Sequence, residues 1–117
     1  MYNDNYDVTV YFKEEKTSEV HIRNGKVTFE NFIDNPLWLP FGIKTEATMN
    51  DLEDFYEERC FPKERGNCKD ILNALDVPCY EPELICRKTH GQQFDDFLWL
   101  QFSDEPQVQY KDIALRN

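Results

Sequence analysis

Asn24-Gly25 separates two runs of alternating side chains, and no other feature of the sequence restricts the fold as strongly. A two-residue type I′ turn needs positive φ at both central positions, which Asn and Gly adopt at least cost, so the pair predicts a β-hairpin. Before it, Val20 and Ile22 alternate with His21 and Arg23; after it, Val27, Phe29 and Asn31 alternate with Lys26 and Thr28. Upstream, Val8, Val10 and Phe12 alternate with Thr9, Tyr11 and Lys13. Period-two alternation of β-branched and aromatic residues is what a half-buried antiparallel sheet requires. With Glu14–Ser18 as the first turn, Asp7 to Ile33 is expected to form a three-stranded meander.

The period then changes. Two prolines and a glycine around the large apolar residues of Leu37-Trp38-Leu39-Pro40-Phe41-Gly42 exclude a regular helix there. Two readings of this apolar loop are open. It caps the core, or it presents Trp38 and Phe41 as an anchor for a partner. Thr48 followed by Asp51 resembles a capping box and starts a helix over about Met49 to Cys60, with Met49, Leu52, Phe55 and Tyr56 on one stripe. A second helix is expected from about Glu64 to Leu75. A third runs from Pro82, suited to a first turn, to His90, with Gly91 as its C-cap. The nearly continuous apolar run within Phe94 to Phe102 reads as a buried strand returning to the sheet. The fold class is therefore α+β. Residues 1–102 form one domain, and 103–117 form a tail or an edge strand.

An aromatic content of 15% supports a packed core, and a chain of 117 residues has room for one. No apolar stretch is long enough to cross a bilayer. Met1 to Asp7 lacks the basic-then-apolar pattern of a signal peptide, so a cytoplasmic location is expected, with Cys60, Cys68, Cys79 and Cys86 reduced. Their gaps of seven, ten and six residues lack the short paired spacing usual for structural zinc. A site from Cys60, Cys68, Cys86 and His90 is conceivable, but buried thiols packed as small hydrophobes are the favoured reading.

With 23 acids against 13 bases the net charge is −10, which disfavours direct binding to nucleic acid or to an anionic membrane. It favours a protein partner with a basic surface, including one that ordinarily holds nucleic acid. The acidity is concentrated in the first helix, where Asp51, Asp54 and Glu58 fall on one edge and Glu53 and Glu57 on another. Such a face either imitates phosphate charge for a basic groove or is simply a solvated surface. Asp95-Asp96 reads as the end of a structural element, not a metal pair, because adjacent strand residues point to opposite faces. Arg59, Lys63, Arg65, Lys69, Arg87 and Lys88 are expected to pair internally or to cap helix ends. His21 and His90 have no neighbouring nucleophile or ligand pair, and no phosphate loop or hydrolase motif is present. No catalytic residue, cofactor or metal is assigned, and a binding protein is expected in place of an enzyme.

The order Leu39-Pro40-Phe41-Gly42, Glu58-Arg59-Cys60-Phe61-Pro62 with Arg65 and Asn67, Ile71-Leu72, Thr89-His90-Gly91, and Asp96 before Trp99 resembles small bacterial proteins carried by phages and other mobile elements. It is also similar to a segment found beside HipA-type toxin kinases, over roughly residues 27 to 102. The chain ends where a kinase domain would begin in that arrangement, so no kinase activity is implied. The resemblance implies an inhibitor of an anti-phage defence complex, of the anti-CRISPR kind, or a non-catalytic accessory module binding through the Trp38/Phe41 loop.

Overall fold

In the computed structural model, which describes residues 5–93 and 96–114, the meander is present: β1 (Asn5–Phe12), β2 (Glu15–Arg23) and β3 (Lys26–Asn31) pair antiparallel in sequence. Asn24 and Gly25 both take positive φ, 52° and 80°, as the type I′ hairpin demands. The returning strand, β4 (Leu98–Phe102), pairs antiparallel with β1, giving the sheet order β3-β2-β1-β4. The architecture is thus α+β, with an N-terminal antiparallel meander, short helices and a C-terminal strand that completes the sheet.

The first turn is tighter than its polar sequence suggests. It is made at Lys13-Glu14, with Lys13 at φ 54°, and β2 already begins at Glu15. A β-bulge shifts the register between Val10 and Tyr11. Thr17 and Ser18 are buried there because their hydroxyls donate to the backbone, Thr17 Oγ1 to Val10 O (3.2 Å) and Ser18 Oγ to Glu30 O (3.0 Å).

One face of the sheet carries Val8, Val10, Val20, Ile22, Leu100 and Phe102, and all are buried in the main core with Leu52, Phe55 and Tyr56 of the first helix. That helix, α1 (Met49–Glu58), contacts β3 and α3 (Pro82–Thr89), and α3 contacts β4. A smaller cluster of Leu72, Val77 and Ile85 joins α2 (Cys68–Ala74) to α3. The helices are shorter than their periodicity suggested. α1 stops before Arg59, and residues 64–67 form turns where Arg65 N–H donates to Pro62 O and Cys68 N–H to Arg65 O. After α3, two left-handed residues, His90 and Gly91, turn the chain toward β4, so His90 takes the cap position expected of Gly91.

Residues 103–114 are not an edge strand. They fold over the buried Gln101 side chain, which accepts from Val108 N–H (3.1 Å) and donates to Pro106 O (3.1 Å), and end in one helical turn, α4 (Tyr110–Ile113). Among the described residues no helix is long and apolar enough to cross a membrane.

Candidate acidic interaction face

The sequence of α1 fixes its orientation before any partner is considered. Leu52, Phe55 and Tyr56 repeat at helical spacing and are buried against the sheet, which turns the intervening carboxylates outward. Thr48 Oγ1 accepts from Asp51 N–H (3.2 Å), and Thr48 N–H donates to Asp51 Oδ2 (2.9 Å), closing the capping box with Asp in the third position. Lys44 adds an ion pair to the other oxygen of Asp51 (2.5 Å). The hydrogen bond from Lys44, then those from Thr48, hold the Asp51 carboxyl below the usual carboxylate range. Asp51 therefore belongs to the helix start and has little capacity left for a partner.

Glu53, Asp54, Glu57 and Glu58 differ from it. All four are exposed, and none lies within ion-pair distance of a base among the described residues. They divide as helical spacing requires. Glu53 and Glu57 border a cleft against Glu81 and Glu83 at the start of α3, while Asp51, Asp54 and Glu58 border a groove against Leu37 and Pro40 of the loop. No basic residue occupies the last turn of α1, so Glu57 and Glu58 face the negative end of the helix dipole without compensation.

The apolar loop packs inward, but not with all its residues. Asn35 caps a short 3-10 turn, Pro36–Trp38, by accepting from Leu37 N–H (3.0 Å). Phe41 is only 8% exposed and sits against Phe29 and Phe55 at centroid separations of 4.9 and 6.3 Å. Trp38 stacks on Phe12 at 4.0 Å. Phe41 is thus occupied by the core and Trp38 by a sheet residue, and the residues that the loop turns to solvent are Leu37 (81% exposed) and Ile43 (88% exposed). Nothing in the sequence marks these two as exposed. A position outside any periodic stripe gives no signal for which way it points.

The expected internal use of the basic group holds for two of its members. Arg59 is buried and pairs with Asp96 through two hydrogen bonds (2.7 and 2.9 Å), while its other donors reach Gly91 O and Leu98 O. Arg87 pairs with Glu83 and Asp104 and lies over the Phe102 ring at 4.3 Å. Lys63, Arg65, Lys69 and Lys88 are exposed and make no ion pair among the described residues, although Lys63 borders the same groove as Asp54, Glu57 and Glu58. Asp96 also accepts from Leu98 N–H (3.2 Å), as a residue ending an element should. Asp95 lies outside the described residues.

Cys60 and Cys86 approach to 4.0 Å between sulfurs, whereas Cys68 packs in the smaller cluster and His90 meets Trp99 edge to face. Two of the four residues of the conceivable zinc site are thus adjacent, but among the described residues no group of three or more His, Cys, Asp or Glu is disposed to hold a metal. His21 lies on the outer sheet face, bonded to Asp7 (2.7 Å).

What the fold and this face define is an acidic α+β domain. No family model matches the chain, and neither a curated protein nor a solved structure matches it significantly.

Proposed function

We propose that the chain is a non-catalytic binding protein that sets the acidic face of α1 against a basic surface of a nucleic-acid-handling partner and so inhibits it, in the manner of anti-phage-defence inhibitors. The observation that carries this reading is the set of four exposed carboxylates on one helix, Glu53, Asp54, Glu57 and Glu58, none in an ion pair among the described residues, while Arg59 and Arg87 are committed elsewhere. Like charges at this spacing cost a helix a few tenths of a kcal/mol per pair, so the face is held at some expense in stability. A net charge of −10 adds steering toward positive partners and away from nucleic acid itself.

The test is reversal of Asp54, Glu57 and Glu58 to lysine, followed by affinity capture on the tagged protein at low and high salt. Binding should be lost while the circular-dichroism spectrum and melting transition persist, and salt should release the wild-type partner. Unchanged binding by the folded variant would rule the reading out.

The exposed Leu37 and Ile43 favour a second reading, an accessory module docked through the loop. In that case Leu37→Ser with Ile43→Ser should abolish binding, charge reversal should not, and the partner should resist salt.

A further inference from the structure

A cleft of about 470 Å³ opens between α1, the start of α3 and the β2–β3 turn. Met49 from α1 and Pro82 from the start of α3, both partly exposed, supply apolar surface, and the buried Tyr6 and Tyr56 bring their hydroxyls to it. Four carboxylates line the same space, Glu53 and Glu57 from α1 and Glu81 and Glu83 from the start of α3, and no Lys, Arg or His is among the lining residues.

The proton inventory of this cleft is one-sided. The Tyr6 hydroxyl donates to Glu83 Oε1 (3.1 Å), and the Tyr6 and Tyr56 oxygens lie 2.8 Å apart. Each phenol has one proton. That of Tyr6 goes to Glu83, so that of Tyr56 goes to Tyr6, and both donors are used within the protein. Burial pushes both phenols well above their ordinary range, which keeps those protons in place. The second oxygen of Glu83 already accepts from Arg87 Nε (3.1 Å). The side-chain capacity that remains, on Glu53, Glu57 and Glu81, is entirely acceptor.

An anion would meet four carboxylates and no cationic side chain among the lining residues, and a neutral apolar group would desolvate carboxylates without repaying them. A cation on an aliphatic stem satisfies both surfaces, since lysine and arginine lay their methylenes on apolar walls while their heads stay with polar partners. We infer that the cleft receives a basic, partly apolar segment of the protein partner, seating an arginine or lysine with its stem on Met49 and Pro82 and its head among Glu53, Glu57 and Glu81. This rests on the reading of α1 as the face for a basic partner and places the contact on one edge of that helix.

The test is an amide NMR titration of the full chain with a capped peptide of alternating leucine and arginine. Saturable shifts are expected at Ile22, Gly25, Met49 and Glu81. Affinity should fall roughly tenfold in a Glu53→Gln/Glu81→Gln variant, the loss expected for charge-assisted hydrogen bonds. Glu15→Gln/Glu30→Gln, which removes the same charge from the exposed sheet strands, should leave it unchanged. The inference is overturned, with the α1 reading intact, if Asp54→Asn/Glu58→Gln weakens binding as much as the cleft variant does. It is equally overturned if a peptide with serine in place of leucine binds as well, because the apolar wall would then be idle. If no peptide shifts any α1 amide, both readings fall.

Discussion

Arg59 leaves the end of α1 and places its guanidinium on Gly91 O, Leu98 O and both oxygens of Asp96, so one buried side chain ties α1 to the turn after α3 and to the start of β4. Removing it would take its donors from Gly91 O, Leu98 O and both Asp96 oxygens at once. Arg59→Met should therefore lower unfolding free energy by about 3 kcal/mol, the lower end for a broken buried pair because Asp96 is about one-third exposed. Asp96→Asn, which keeps an acceptor for the guanidinium, should cost less; urea denaturation of both variants measures the difference. Gly91 makes the same junction possible in another way. At φ 64°, a Cβ would stand 2.8 Å from the Leu100 side chain, whereas at Gly25, φ 80°, nothing lies within 4 Å. Gly91→Ala combines backbone strain with overpacking and should destabilise by about 2–3 kcal/mol, against about 1 kcal/mol for Gly25→Ala, where strain acts alone. Comparable losses at the two glycines would remove the steric part of this account.

The elements differ in how much of themselves they bury. β1 and β2 pair on both sides and contribute the fully buried Val8, Val10 and Val20, whereas α2 buries only Leu72 and belongs to a small cluster closed by Val77 and Ile85. Local opening of α2 forfeits little apolar contact, so its amides should exchange with deuterium through sub-global opening, well before those of β1 and β2. Equal protection of the two regions would show that the smaller cluster unfolds only with the sheet. The same contrast explains what could be read from the sequence. The meander was legible because alternation and Asn24-Gly25 are local signals that fix register through the pleat. The capping box of α1 and the two-edged division of its acids followed from helical spacing alone. The partner of Arg59 was not legible, since Asp96 lies 37 residues away and only the fold brings them together. Nor was the β2 start, because the bulge that buries Thr17 and Ser18 depends on backbone acceptors in other strands. Trp38 and Phe41 drew attention by type, and only the fold separates them from the exposed Leu37 and Ile43.

Across the whole molecule the decisive quantity is the balance of repulsion against pairing. Twenty-three acids meet 13 bases, and the ion pairs that bury a partner, Arg59–Asp96 and Arg87–Glu83, are short and poorly reached by salt. The uncompensated charge, in contrast, is exposed and spread along α1, where neighbouring carboxylates repel across distances comparable with the screening length of about 10 Å at 0.1 M salt. Screening should thus remove more repulsion than attraction. The melting temperature should rise as sodium chloride is raised from millimolar levels to about 0.5 M. A Glu53→Gln/Asp54→Asn/Glu57→Gln/Glu58→Gln variant should start higher at low salt by the few tenths of a kcal/mol per pair that like charges cost. Its response to salt should then be shallower than that of the wild type, because the repulsion that salt relieves has already gone. If the wild type instead melts at lower temperature as salt rises, exposed pairs such as Lys44–Asp51 outweigh the repulsion, and the acidic face carries no stability cost for a basic partner to relieve.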